Sequence, residues 1–246
     1  MMEKYWLFYL LALVAEIIGT VSGFGSSILF IPLASLFFDF KLVLGITAIF
    51  HIFSNLSKIY LFKNGIDKRI ALKMGIPAII AVIIGALITN FLPQKELEIM
   101  MSIAIFFLGL YLLLNTNKKL KDTNSNLING GIASGFLAGL VGTGGAIRGL
   151  TLTAFGLEKD VFIATSALID LGVDTSRAMV YAANGYVRKE FLIMLPFLLA
   201  ISFAGTWIGK KVLAHIPQNY FKKVVLVVIL LTSLIQLLIS VLDALK

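Results

Sequence analysis

Two of the apolar runs in this chain are too short to cross a membrane, and both follow a glycine-rich break. The runs fall at about 5–22, 27–38, 42–62, 70–92, 97–115, 127–141, 146–155, 161–183, 190–209 and 220–242. A spanning helix needs roughly 20 apolar residues, which runs 27–38 and 146–155 do not supply. Non-helical backbone at membrane depth is tolerated only where it is buried in protein or lines a cavity. The breaks VSGFGSSILFIP (21–32) and LVGTGGAIRGL (140–150) therefore belong inside a bundle. The expected fold is an all-α polytopic membrane protein.

Composition supports this. Hydrophobic residues make up 59% of the 246-residue chain and charged residues only 14%. Soluble domains run nearer one half and about one quarter. Once the apolar runs are assigned, no room is left for an aqueous catalytic domain. Cysteine is absent, so disulfides, thiolate metal sites and cysteine nucleophiles are excluded. The net charge of +8 sits mostly in short loops between apolar runs, as the positive-inside pattern requires, and does not suggest nucleic acid. The first run carries Glu16 and shows no small-residue cleavage site, so it reads as a retained membrane segment.

The halves correspond under a shift of 119 residues. Gly23-Phe24-Gly25 falls on Gly142-Thr143-Gly144, Thr47 on Ser166, His51 on Asp170, Asn55 on Asp174, Ser57 on Ser176, Lys58 on Arg177 and Pro77 on Pro196. The reading is two homologous repeats (1–117 and 127–246) joined by a polar linker (118–126). Each repeat is a Gly-broken, re-entrant or discontinuous helix followed by three membrane-spanning helices. A hairpin at each break gives three crossings per repeat, and an odd count inverts the second repeat. A break that crosses once gives parallel repeats instead. The inverted arrangement accounts for the short second arms and gives the stronger positive-inside bias.

Three constellations carry candidate chemistry. At the breaks, Gly23, Gly25, Ser26 and Ser27, and Gly142, Thr143, Gly144 and Gly145, offer backbone N–H groups, hydroxyls and the positive end of a restarting helix. Arg148 adds charge about one turn later. Close packing of small residues is the competing explanation. His51, Asn55 and Lys58 share one helix face, and Asp170, Asp174 and Arg177 repeat that spacing. Ionisable groups in membrane segments are costly and mark pathways unless they only join helices as ion pairs. Lys58 could also snorkel. Glu16 has no evident partner in sequence; it is expected to face the cavity or to pair with a residue of the other repeat. Trp6 and Trp207 near segment ends suit interfacial anchoring. Metal-ligand spacings, a nucleophile elbow and a phosphate-binding loop are missing, so no catalytic residue, metal or cofactor is expected.

The breaks GFGSSILFIPL and GFLAGLVGTGGAIRGL, with TAIFHIFSNLSKIYLFKNGIDKRIAL and TSALIDLGVDTSRAMVYAANGYVRKEFLI after them, resemble the sulfite exporter TauE/SafE family of membrane permeases. The similarity runs over essentially the whole chain. Ser26-Ser27 replace two glycines of the family's longer glycine run, and Thr151 stands where a proline is usual. The resemblance implies a plasma-membrane transporter of small sulfur-containing anions such as sulfite or sulfonates. The expectation is a secondary transporter, an exporter, of a small anion held between the breaks and worked by alternating access. Its binding residues would come from the two breaks together with His51, Asn55, Lys58, Arg148 and Arg177. Proton coupling through Asp170 and Asp174 is a subsidiary expectation. A carrier or channel that binds a cation on Asp170, Asp174 and Asn55 is the alternative. Expected partners are the lipid bilayer, the anion and, on base rates, a second copy in a homodimer.

Overall fold

The computed structural model describes residues 5–63, 65–91, 93–115 and 123–244, and the chain is all-helical over them. Its helices are α1 (Trp6–Ser22), α2 (Ser27–Ala34), α3 (Phe40–Leu61), α4 (Lys68–Ile88), α5 (Gln94–Leu114), α6 (Asn124–Val141), α7 (Gly145–Phe155), α8 (Lys159–Ala183), α9 (Leu195–Ala214) and α10 (Gln218–Ala244). Short 3₁₀ segments lie at Thr89–Phe91 and Lys189–Met194. Among the described residues, Phe40–Leu61, Lys68–Ile88, Phe191–Ala214 and Gln218–Ile239 are each long and apolar enough to cross a membrane.

Side-chain caps set several starts. Asp39 accepts from the Leu42 N–H at 3.1 Å before α3, and Asp67 from the Ile70 N–H at 3.0 Å before α4. Each satisfies an orphan donor and is worth about 1 kcal/mol. Thr123 does the same for Asn126, so α6 starts at Asn124 and takes in residues 124–126 of the expected linker. The linker's residues 118–122 lie outside the described residues. Helix α9 runs past the apolar run 190–209, through Lys210 to Ala214. Lys210 stays in the helix because its ammonium reaches the Leu61 carbonyl.

Both breaks are hairpins. Helix α1 ends on Gly23 and α6 on Gly142, at φ +74° and +77°. This is the left-handed conformation glycine adopts without a Cβ penalty. A Cβ at Gly142 would also lie 2.5 Å from Ile31, and one at Gly23 2.6 Å from Phe162. After the first break the chain returns to its starting level. Phe8 meets Phe30 and Phe38 at ring-centroid distances of 5.7 and 5.2 Å, and Tyr5 meets Phe38 at 5.3 Å. After the second, Thr151 comes back beside Gly130.

Helices α3 and α8 run antiparallel at the centre, with Gly45 beside Tyr186, Asn55 bonded to Asp174 and Gly65 beside Asp160. Helix α4 runs parallel to α6, and Gly131, Gly135 and Gly139 sit on Met74, Ala78 and Val82. A glycine every fourth residue lets two backbones approach closely, as in small-xxx-small membrane interfaces. Helix α1 lies parallel to α9 in the same way, with Gly205 on Glu16 and Gly209 on Thr20.

Polarity is reversed relative to a water-soluble domain. Ile76, Ile80 and Ile84 on α4 and Leu199 and Phe203 on α9 face outward, whereas Glu16, Lys58, Arg148, Asp174 and Arg177 are buried. A bundle in hydrocarbon needs this arrangement, since its outside meets lipid and its ionisable groups turn inward. Trp6 and Trp207 are exposed, and the Lys211 ammonium lies 3.4 Å from the Trp207 ring centroid.

Candidate functional site

The two hairpin tips meet at the middle of the α3–α8 pair. The restarting helices α2 and α7 leave their first N–H groups without intrahelical partners there. A Cβ at Gly145 would lie 2.0 Å from the Phe24 carbonyl oxygen, so the second break can touch the first only through glycine. Arg148, on the first turn of α7, reaches across. It donates to the Phe24 carbonyl at 3.3 Å, to Ser166 Oγ at 2.9 Å, and to the Asp170 carboxylate.

Asp174 lies one turn beyond Asp170. Its Oδ1 accepts from Arg177 Nε at 2.7 Å, and its Oδ2 from Asn55 Nδ2 at 2.7 Å. His51 Nδ1 is 3.8 Å from the same Oδ2. Arg177 also donates to the Gly142 carbonyl at 2.9 Å, which ties the second break to α8. These residues surround a cavity with about 220 Å³ of atom-free space, of which the centre of a water could reach about 10 Å³. That is about one water's worth. The site is closed around its own ion pairs.

A second charged cluster adjoins the first. Glu16 is fully buried, and its Oε1 accepts from Ser54 (2.6 Å), Lys58 (2.9 Å), Thr206 (3.1 Å) and Thr20 (3.2 Å). Its Oε2 accepts from Ser26 Oγ at 2.9 Å, and Ser26 Oγ lies 3.0 Å from His51 Nε2. Hydrogen bonds thus lead from Glu16 through Ser26 to His51, beside Asp174. Lys58 does not snorkel.

Of the residues singled out in sequence, Gly25, Ser27, His51, Gly142, Gly144, Gly145, Arg148, Asp170, Asp174 and Arg177 line the cavity. Asn55 and Ser26 stand behind it through Asp174 and His51. Lys58 is held in the Glu16 cluster. Gly23 serves as the cap of α1, and Thr143 is buried outside the lining. Sequence reasoning missed the Phe24 carbonyl and the Glu16–Lys58 pair. The clue to the pair was an acid and a base deep within apolar runs of the same half.

A family profile described as sulfite exporter TauE/SafE matches residues 8–235. The chain belongs to the TauE/SafE sulfite exporter family. The match spans both breaks and both charged stripes. As a member, the chain is a multi-pass membrane transporter and not an enzyme, and the plasma membrane is the typical TauE/SafE location. No curated protein and no solved structure matches the chain.

Proposed function

We propose that this transporter carries a small sulfur oxyanion, sulfite or an organosulfonate, through a site between the two hairpin tips. The observation that carries the reading is Arg148. It is buried on the first turn of α7, faces the first break, and pairs with Asp170. An oxyanion entering from the breaks would exchange that carboxylate for its own oxygens and gain the free N–H groups of α2 and α7. Gly25, Ser27, Gly144 and Gly145 would supply the backbone surface; Arg177 and His51 would complete the polar wall.

The buried charges explain how a proton could take part. Lys58, Arg148 and Arg177 balance Glu16, Asp170 and Asp174, so 3 − 3 = 0 with His51 neutral. An anion adds uncompensated charge in a low dielectric. A proton on Asp170 releases Arg148, and one on Asp174 releases Arg177. Protonation of both leaves +2, which matches a dianion. Without protons, an anion leaving an inside-negative cell gains about 2.3 kcal/mol per charge per 100 mV. The cation alternative is not favoured, because both carboxylates already face guanidinium groups.

Inverted repeats are part of the proposal. Helices 1–5 and 6–10 follow the same order, with a short second and seventh helix. The equivalent helices α3 and α8 run antiparallel, and the equivalent residues Asn55 and Asp174 bond to each other, as residues beside a pseudo-two-fold axis would. Alternating access then follows from rocking one repeat against the other.

Sulfite counterflow in proteoliposomes tests the site. Arg148→Lys keeps the charge but loses the planar fork, and is expected to cut flux severely. Counterflow at the wild-type rate in that variant would remove Arg148 from the site.

A further inference from the structure

Two other cavities lie at opposite ends of the α3–α8 pair. The first, about 390 Å³, is lined by Asp39, Lys41, Asn184, Tyr186 and Arg188, where α3 begins and α8 ends. The second, about 380 Å³, is lined by Phe62, Lys63, Glu158, Asp160 and Lys210, where α3 ends and α8 begins. Both reach the size range of small-ligand pockets. At about 1.5 Å per residue, the 22-residue α3 is about 33 Å long, the thickness of a bilayer core. The cavities therefore open on opposite membrane faces, with His51 and Asp174 about midway between them.

Part of each lining corresponds to part of the other. Asp39 and Glu158, and Lys41 and Asp160, are 119 residues apart (158 − 39; 160 − 41), the same interval as Asn55 to Asp174. Each cavity sits at a helix N-terminus, α3 or α8, where the dipole favours anions and where Asp39, or Glu158 and Asp160, already place carboxylates beside the basic side chains. Each also has an aromatic wall with a lysine over it: Lys41 is 5.6 Å from the Tyr186 ring centroid, and Lys210 is 5.0 Å from that of Phe62. Phe62, in the lining of the second cavity, and Tyr181, behind Tyr186 of the first, are again 119 apart (181 − 62), and both are buried. Tyr181 stacks on Tyr186 at 5.4 Å. At the first cavity Arg188 and Asp39 pair at 3.1 Å, both about half exposed. An exposed pair of this kind is weak and can open at little cost.

We infer that these cavities are the two mouths of a single permeation pathway along the α3–α8 interface. Each gathers the oxyanion on its basic side chains, and Tyr181 and Phe62 are the barriers between mouth and central site. The inference extends the transport reading by giving that reading a route.

The absence of cysteine makes the test direct. Lys41→Cys and Asn184→Cys report on the first mouth; Asp160→Cys and Lys63→Cys report on the second. All four positions are exposed, so the variants should fold. They would be treated with a membrane-impermeant polyethylene glycol maleimide, which carries no sulfonate and is too bulky to be a substrate, in spheroplasts and in inverted vesicles. The expected result is labelling of Lys41→Cys and Asn184→Cys from one face only, and of the other two from the opposite face only. Modification at either mouth should stop sulfite flux, while sulfite still raises the melting temperature of the purified, labelled protein. Labelling of Lys41→Cys and Asp160→Cys from the same face would overturn the inference, as would full flux after labelling. If labelling blocks flux but sulfite stabilisation is indifferent to Arg148, the mouths stand and the Arg148 site falls.

Discussion

Removing the Lys58 ammonium while keeping its bulk, as in Lys58→Met, leaves the Glu16 carboxylate fully buried with hydroxyl donors but no cation. Breaking a buried ion pair from one side costs about 3–5 kcal/mol, because a charge is stranded. Ser54 suffers as well, since Lys58 Nζ donates to its Oγ at 2.7 Å. At about 2–4 °C per kcal/mol for a chain of this size, the melting temperature should fall by about 6–20 °C. Glu16→Gln on its own strands Lys58 and should cost a similar amount. Combining the two removes both charges and keeps a polar group for the hydroxyls, so the double variant should recover most of the loss. The assay is thermal unfolding in detergent of the four proteins of the cycle. Additive losses in the double variant would show that the two charges do not neutralise each other, and the account of the buried cluster would be wrong.

Other outcomes follow from the same geometry. Gly135→Ala places a Cβ about 2.1 Å from the Ala78 carbonyl, so α4 and α6 must separate; thermal unfolding should show a loss larger than for Ala at the less crowded Gly75. Tyr181→Phe loses a 2.7 Å bond to the Gly139 carbonyl, and its stability should fall by about 1 kcal/mol. If protons accompany the anion, Asp170→Asn or Asp174→Asn should flatten the pH dependence of sulfite flux. An unchanged pH profile in both variants would end the coupling idea.

Much of this could be read from sequence because a membrane makes polarity expensive. Glycines interrupting apolar runs had to be buried, and Gly23 and Gly142 do end α1 and α6 at positive φ. The stripes His51–Asn55–Lys58 and Asp170–Asp174–Arg177 had to face inward, and they meet across α3 and α8. Pairing within those stripes was less legible. Arg148 and Asp170 lie on different helices, and Glu16 meets Lys58 through a tertiary approach that no local spacing encodes. Balancing the buried acids against the buried bases would have predicted that such pairs exist, though not which partners form them. The mouths were invisible in sequence because their linings are ordinary loop and helix-end residues.

The central claim is that Arg148 and the two breaks bind a sulfur oxyanion. Its most direct test is thermal unfolding of purified protein with sulfite, thiosulfate, sulfonates, sulfate, phosphate, carboxylates and sodium, for wild type and for Arg148→Gln/Asp170→Asn. The double variant removes both members of the pair, so its fold should survive. A ligand at 100 times its dissociation constant stabilises by about 2.7 kcal/mol, or about 5–11 °C for a chain of this length. The account predicts that shift with sulfur oxyanions in wild type and its loss in the double variant. A sulfite shift of the same size in both proteins, or a shift with sodium alone, would contradict it.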